Sequence, residues 1–134
     1  LSLLSSTLPY YDVDPKKVQY FGTSLWNKEA VIKEPGLNNS IFTSLEKDKL
    51  NIFNKLYKSS YNENPHPIAI YGFDAIGIIA SLDNQNLKIS EENLVNEFGF
   101  NGLSGMFRFN NNGIIDRNLE LYRIKNEQII KVKN

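Results

Sequence analysis

Between residues 68 and 82 the chain carries a single charged residue, Asp74. A segment that is apolar on nearly every side predicts a helix packed against neighbours on several sides, and not an amphipathic helix with one solvent-exposed face. The segment is shorter than the roughly 20 apolar residues that span a bilayer. The chain therefore needs a real hydrophobic core, and 134 residues are enough to form one.

The segments on either side predict an α/β order that ends in strands. Before the apolar helix, residues 18–21 read as a short buried strand that ends at Gly22, and residues 40–43 read as a second strand. Thr43 and Glu46 have the spacing of a capping box for a further amphipathic helix. After the apolar helix, Ser90 is placed to cap a short helix, and the pattern then predicts strands at residues 106–109, 119–124 and 128–132.

The composition excludes several classes of function. Fifteen basic residues balance fifteen acidic ones, so no basic stripe is available to neutralise phosphates, and nucleic acid is not an expected partner. The lack of cysteine excludes disulfides, thiolate catalysis and cysteine-ligated zinc. No metal or other cofactor is predicted, because one histidine and scattered carboxylates form no ligand set.

Catalysis is not predicted either. The one histidine, His66, stands between Pro65 and Pro67, where we expect a rigid exposed loop and not a general base. No Gly-x-Ser-x-Gly elbow supplies a nucleophile, and no glycine pattern matches a phosphate loop. Gly102 and Gly105 instead predict tight turns, and Gly105 is expected to need a positive φ that a β-branched residue resists.

The best candidate ligand site is the loop after the first predicted strand, which contains Thr23, Ser24 and Trp26. Loops at the carboxyl ends of strands in open α/β sheets are where ligands bind. The alternative for Trp26 is that its ring covers the core.

Two residues of the apolar helix complete the set of candidate ligand residues. Asp74 must find a partner or face water, and a local structural hydrogen bond is the alternative to a ligand role. For Tyr71, as for Trp26, the alternative to a ligand role is packing against the core. Arg108 and Arg117 flank an Asn-rich turn, where arginines are usually solvated or paired with carboxylates.

These features together resemble the C-terminal part of a type I periplasmic binding protein. The resemblance lies in the order and spacing of Val-Gln-Tyr-Phe-Gly-Thr-Ser-Leu-Trp at 18–26, Ile-Tyr-Gly-Phe-Asp-Ala at 70–75, and Phe-Asn-Gly-Leu-Ser-Gly-Met-Phe-Arg-Phe at 100–109. The ending Gly-Ile-Ile-Asp-Arg-Asn-Leu at 113–119 is similar to the penicillin-binding protein activators of the LppC/LpoA-like family.

The resemblance implies a fold and a non-catalytic function. The fold would be a fragment of a two-lobed, Rossmann-like α/β fold with a parallel sheet and a C-terminal β-hairpin. Residues 1–43 and 107–134 would form one lobe, and residues 44–106 the other. The function would be regulation of peptidoglycan synthesis through contact with a penicillin-binding protein. The alternative is a substrate-binding protein of an ABC transporter for amino acids or another small solute.

The family also implies a location and an assembly. The full-length protein would lie in the periplasm, held to the outer membrane by a lipid anchor that this piece lacks; the first residue here is Leu1. Most of one lobe would be missing from this stretch of sequence. A second copy could replace the missing elements by exchange, giving a homodimer.

Overall fold

The computed structural model describes residues 2–132 and divides the chain into two compact units. Leu1, Lys133 and Asn134, at the ends of the predicted ranges, lie outside the described residues. The first unit comprises Leu1–Ser44 and Leu119–Asn134, and the second comprises Leu45–Asn118. Each unit has its own core, and each is described by itself below.

The first unit is built on a four-stranded sheet with two short helices. The elements are α1 (Ser2–Thr7), β1 (Phe21–Gly22), α2 (Glu29–Ile32), β2 (Ile41–Ser44), β6 (Glu120–Lys125) and β7 (Gln128–Lys131). The strands run in the order β1-β2-β6-β7, with β1 parallel to β2 and the other neighbours antiparallel. Its core is formed by four buried residues: Leu37, Phe42, Tyr122 and Ile124.

The predicted C-terminal hairpin is confirmed as β6 and β7. Asn126 and Glu127 join the two strands with φ values of 50° and 59°. Two successive residues with positive φ are the signature of a type I′ turn, whose twist matches that of paired strands. The prediction succeeds because the turn depends only on residues that are adjacent in sequence.

The first predicted strand is shorter and less buried than expected. Only Phe21 and Gly22 pair, with Ile41 and Phe42, and the side chain of Phe21 is 72% exposed. The prediction of a buried strand at residues 18–21 was wrong because β1 lies at the edge of the sheet order, with β2 as its one neighbour there.

The second unit combines helices with a small antiparallel sheet. The elements are α3 (Lys47–Tyr61), α4 (Ala69–Asn84), α5 (Glu91–Leu94), β3 (Phe100–Gly102), β4 (Gly105–Phe109) and β5 (Ile115–Arg117). Strands β3, β4 and β5 pair in that order. Two clusters of buried residues form its core: Leu45, Phe53 and Ile70, and Ile78, Leu82 and Phe107.

Two sequence predictions for the helices of this unit need correction. The capping box is not formed: Glu46 is the N-cap of α3 without a side-chain cap bond, because Thr43 lies within β2 opposite Leu121. The apolar helix exists as α4, yet it buries one stripe only, formed by Ile70, Asp74, Ile78 and Leu82. By contrast, the Ser90 cap of α5 is confirmed, since its Oγ accepts a hydrogen bond from Asn93 N at 3.4 Å.

The sequence pattern missed β3 and β5, which are three residues each. Both pair with β4, so the strand predicted at residues 106–109 is the centre of the second unit's sheet. The predicted lobes divide the chain at residue 107, whereas the second unit extends through Asn118. Gly105 has the expected positive φ, 94°.

Candidate functional site

Asp74 forms the central polar contact of the second unit. Its side chain is 6% exposed, and its carboxylate accepts hydrogen bonds from Leu103 N and Ser104 N, both at 2.8 Å. The hydroxyl of Ser104 donates a third bond to the same carboxylate. A buried charge is costly unless it is hydrogen-bonded, and these three donors meet that need. The contacts match the structural interpretation of Asp74 and join α4 to the turn between β3 and β4.

The tight turn between β3 and β4 explains why its amides reach the carboxylate. Gly102 and Gly105 pair across the ladder, which leaves Leu103 and Ser104 as a two-residue loop. Asp74 presses against this hairpin so closely that a Cβ on Gly102 would lie 2.3 Å from its Oδ2. Glycine is required at position 102 by this close approach.

Arg117 is bound to the same turn from β5. Its Nη1 donates to the carbonyl oxygen of Ser104 at 3.2 Å and also to the Ser104 hydroxyl. Its Cζ lies 4.8 Å from the ring centroid of Tyr71 and 4.5 Å from that of Phe107. Burial lowers the pKa of Arg117 from its usual value, while Tyr71 and Asp74 oppose that change. Arg117, Ser104 and Asp74 thus form one polar network, which we call the Asp74 network.

The sequence analysis expected Arg108 and Arg117 to be solvated or paired with carboxylates. The expectation holds for Arg108, whose Nη2 lies 3.1 Å from Asp116 Oδ2 on an exposed face. It was wrong for Arg117, whose hydrogen-bond partner is a turn 13 residues earlier in the chain. No sequence signal marks Arg117, because the two rings it contacts, Tyr71 and Phe107, come from α4 and β4 and not from its neighbours in the sequence.

Replacement of Arg117 by lysine is expected to lower the free energy of unfolding by about 2 kcal/mol. A lysine keeps the charge but loses the planar group that stacks on two rings and donates to Ser104. Urea denaturation of Arg117→Lys measures the change. The matched control is Arg108→Lys, whose exposed ion pair predicts a change below about 1 kcal/mol. Equal changes in the two variants would contradict the role given to Arg117.

The other three predicted ligand residues lie in the first unit, in the loop after β1. Thr23 Oγ1 accepts a hydrogen bond from Leu25 N at 3.4 Å and caps a single 3₁₀ turn, Ser24–Trp26. Thr23 and Ser24 are exposed, whereas Trp26 is half-buried and packs against the first core. Its ring lies directly over Gly22, where a Cβ would be 2.1 Å from the indole. The packing interpretation of Trp26 therefore has direct structural support.

We expect Gly22→Ala to push the indole of Trp26 off the sheet. The fluorescence emission of the protein should shift to longer wavelength, because Trp26 is its one tryptophan and would become more exposed to water. Overpacking of this kind also costs about 1 to 3 kcal/mol of stability. Gly77→Ala, in open space on α4, is the control and should leave the emission unchanged. An unshifted spectrum for Gly22→Ala would show that the ring does not rest on Gly22.

The five predicted ligand residues thus fall into two separate groups. Thr23, Ser24 and Trp26 belong to the first unit, and Tyr71 and Asp74 belong to the second. In the second unit, Tyr71 stacks on Arg117 and Asp74 binds the turn, so both are engaged by the unit's own residues.

The second unit also contains a cavity of about 450 Å³ between α4 and β3. Its wall includes Phe73, Gly77 and Phe100, with Lys49 as the cationic residue. The Nζ of Lys49 donates to Asn101 Oδ1 at 2.6 Å and to the carbonyl oxygen of Gly102 at 3.2 Å. The lysine therefore binds β3 through one side-chain oxygen and one backbone oxygen, and these two oxygens already satisfy its ammonium group.

His66 is exposed and accepts a local hydrogen bond at Nδ1 from Ile68 N at 3.4 Å. Among residues 2–132, no three acidic or histidine side chains are grouped closely enough to hold a metal ion. Over the same residues, no helix combines the length and the apolar character needed to cross a membrane.

Comparison with known proteins shows similarity at the level of structure. No protein-family model matches the chain, and no curated protein matches its sequence. A putative branched-chain amino acid ABC transporter protein from Rhodospirillum rubrum superposes with a TM-score of 0.71 at 15% identity, over 90% of this chain and 39% of that one. The leucine-binding protein LivK from Thermotoga maritima gives 0.61 at 18% identity, over 98% and 40%.

LpoA from Haemophilus influenzae is also similar, with a TM-score of 0.50 at 18% identity over 98% of this chain and 24% of LpoA. The chain spans about two fifths of the length of the first two proteins. At identities of 15% to 18%, the similarity indicates the fold alone. The chain has the mixed α/β fold of a fragment of the type I periplasmic binding proteins, as in both the branched-chain amino acid receptors and LpoA.

Proposed function

We propose that this chain is the C-terminal region of a non-catalytic envelope protein that activates peptidoglycan synthesis by contact with a penicillin-binding protein. The Asp74 network carries the proposal. Three hydrogen bonds occupy the Asp74 carboxylate and Arg117 covers the ring of Tyr71, so groups that could bind a solute serve the packing of the second unit. A protein that works through its surface needs such internal order but no solute site.

The ending of the chain adds support. The segment 113–119, which resembles the activators, supplies Arg117 to the network and begins with Gly113 at a φ of 76°. The resemblance therefore falls on residues with definite structural roles. The fold shared with LpoA is consistent with the same proposal.

The proposal includes a cellular location and a lobe assignment. We place the protein in the periplasm, anchored to the outer membrane by lipid in its full-length form. We also assign the first compact unit to one lobe of the binding-protein fold and the second unit to the other. Binding-protein relatives support the periplasmic part of this assignment.

A pull-down tests the contact directly. The full-length protein, immobilised, should retain a bifunctional penicillin-binding protein from the same organism and raise its glycan polymerisation rate. LivK from Thermotoga maritima is the control bait, because it has the same fold. Retention by neither bait, or by both equally, would contradict the activator proposal.

A solute receptor for an ABC transporter is the second candidate. It is favoured by the higher TM-scores to solved receptors, one of which is described with isoleucine bound and another with leucine. Isothermal calorimetry of the full-length protein with leucine and isoleucine separates the two candidates. Saturable binding in the micromolar range would support the receptor and contradict the activator.

A further inference from the structure

Two Asn-Gly dipeptides occur in the chain, at residues 101–102 and 112–113. Asparagine followed by glycine is especially prone to deamidation, because glycine has no Cβ to shield its backbone nitrogen from the side-chain amide before it. Both asparagines are exposed, so exposure does not distinguish them. The contacts that hold the two dipeptides are very different.

Asn112 lies in the turn between β4 and β5, outside the paired strands. The turn is closed by a hydrogen bond from Asn110 N to the carbonyl oxygen of Ile114 at 2.9 Å. Within it, Ile114 N donates to Asn112 Oδ1 at 3.0 Å, which curls the side-chain amide toward the backbone that follows it. The same donor faces the oxygen on which negative charge develops when a nucleophile attacks Cγ, so it favours that attack.

Gly113 supplies the nucleophile, its backbone nitrogen. Its φ is 76°, and a Cβ there would meet nothing within 4 Å, so no neighbouring side chain restricts the turn. The nitrogen donates to the carbonyl oxygen of Asn110 at 2.9 Å, a bond that spans only three residues. Opening such a local bond in an exposed turn breaks few buried contacts and costs little free energy.

Asn101 is held by contacts from three other elements. Its backbone pairs opposite Met106 of β4, and its Oδ1 accepts a hydrogen bond from Lys49 Nζ of α3 at 2.6 Å. The same ammonium group binds the carbonyl oxygen of Gly102 at 3.2 Å. Gly102 also lies against the Asp74 carboxylate of α4. The backbone at residues 101–102 therefore cannot rotate into the geometry of attack without breaking these contacts.

We propose that Asn112 is a site of spontaneous deamidation in the folded chain and that the fold protects Asn101 from the same reaction. The Gly113 nitrogen loses its proton and attacks Asn112 Cγ. The new N–Cγ bond closes a cyclic imide, the Cγ–Nδ2 bond breaks, and Nδ2 takes up the proton and leaves as ammonia. Water then opens the imide at either carbonyl carbon, which gives aspartate or isoaspartate at position 112.

Both products change the turn at the start of the segment 113–119. Each adds one negative charge to a chain whose formal net charge is zero, and isoaspartate also adds a methylene group to the backbone. Arg108 and Glu97 line the same surface hollow as Asn112 and would meet the new carboxylate. The proposal does not depend on the activator function.

Peptide mapping of the 134-residue chain tests the proposal. The folded chain is incubated in mildly alkaline buffer, which promotes loss of the Gly113 amide proton. Trypsin then cuts after Lys88, Arg108 and Arg117, so the two asparagines fall in separate peptides. Mass spectrometry follows the exchange of NH₂ for OH in each peptide. Asn112 should convert at least about tenfold faster than Asn101, since a tenfold ratio needs only about 1.4 kcal/mol of extra cost for local opening at Asn101.

Asn101 in the unfolded chain is the matched control. In guanidinium chloride both dipeptides lose their contacts, and the two rates should become similar. Asn112→Gln should abolish conversion in the peptide 109–117, because glutamine would have to close a larger ring, and this separates Asn112 from Asn110 and Asn111. An unconverted Asn112 in the folded chain would overturn the proposal. A ratio of rates that is the same in the folded and unfolded chain would overturn it too, since the fold would then protect neither site.

Discussion

Asp74→Ala should be among the most destabilising single substitutions in this chain, lowering the free energy of unfolding by about 3 to 5 kcal/mol. Removal of the carboxylate leaves two amide donors, Leu103 N and Ser104 N, without their acceptor, and the buried Ser104 hydroxyl beside them loses its acceptor as well. Each buried donor left without an acceptor costs about 1 to 3 kcal/mol. Since domains of this size are stable by only about 5 to 15 kcal/mol, the loss would be a large share of the total.

Equilibrium urea denaturation followed by circular dichroism measures this change. Asp83→Ala is the matched control, because Asp83 is an exposed aspartate on the same helix. Its effect should stay within about 0.5 kcal/mol. Asp74→Asn keeps one acceptor oxygen and should fall between the two. If Asp74→Ala and Asp83→Ala unfold at the same urea concentration, the carboxylate does not organise the turn.

Gly102→Ala should cost about 2 to 3 kcal/mol through a collision with the same carboxylate. The added methyl would lie 2.3 to 2.6 Å from three atoms of the Asp74 side chain. Those atoms cannot move aside cheaply, because they hold the hydrogen bonds to Leu103 and Ser104. Inserting one carbon into such a packed site commonly costs 1 to 3 kcal/mol.

Gly77→Ala is the control for Gly102→Ala. Gly77 lies within α4 with nothing within 4 Å of the position of a Cβ, so alanine should raise stability by about 0.5 to 1 kcal/mol. Urea midpoints of the two variants should therefore move in opposite directions. The double variant Asp74→Ala with Gly102→Ala should lose less than the sum of the two single losses, because the collision disappears with the carboxylate. Additive losses would show that the cost of Gly102→Ala does not come from contact with the Asp74 carboxylate.

Sequence reasoning succeeded where local chemistry decides the structure. The turn at Asn126, the cap at Ser90 and the positive φ of Gly105 depend on residues within a few positions of each other. The helix at residues 68–82 was predicted for the same reason, because its apolar residues lie next to each other in the sequence and favour a helix whichever element it packs against.

Sequence reasoning failed where a competing long-range contact takes over. Thr43 could cap a helix in isolation, but it lies in β2, where its backbone pairs with Leu121 of β6. The fold class, in contrast, was predicted correctly, because it follows from the order of the sequence motifs along the chain. The ligand role of the five candidate residues remains a prediction. Only the structure shows which residues surround them.

The sequence by itself determined that this chain is an α/β protein with an apolar central helix, a C-terminal hairpin and a resemblance to the type I binding proteins. The tertiary structure alone decided what Asp74 and Arg117 do. Asp74 contacts a turn 29 and 30 residues away, and Arg117 contacts the same turn from β5. It also decided which sides of α4 are covered. The periodicity of a helix that is apolar on every side does not indicate which side meets a neighbour, because that depends on elements distant in sequence.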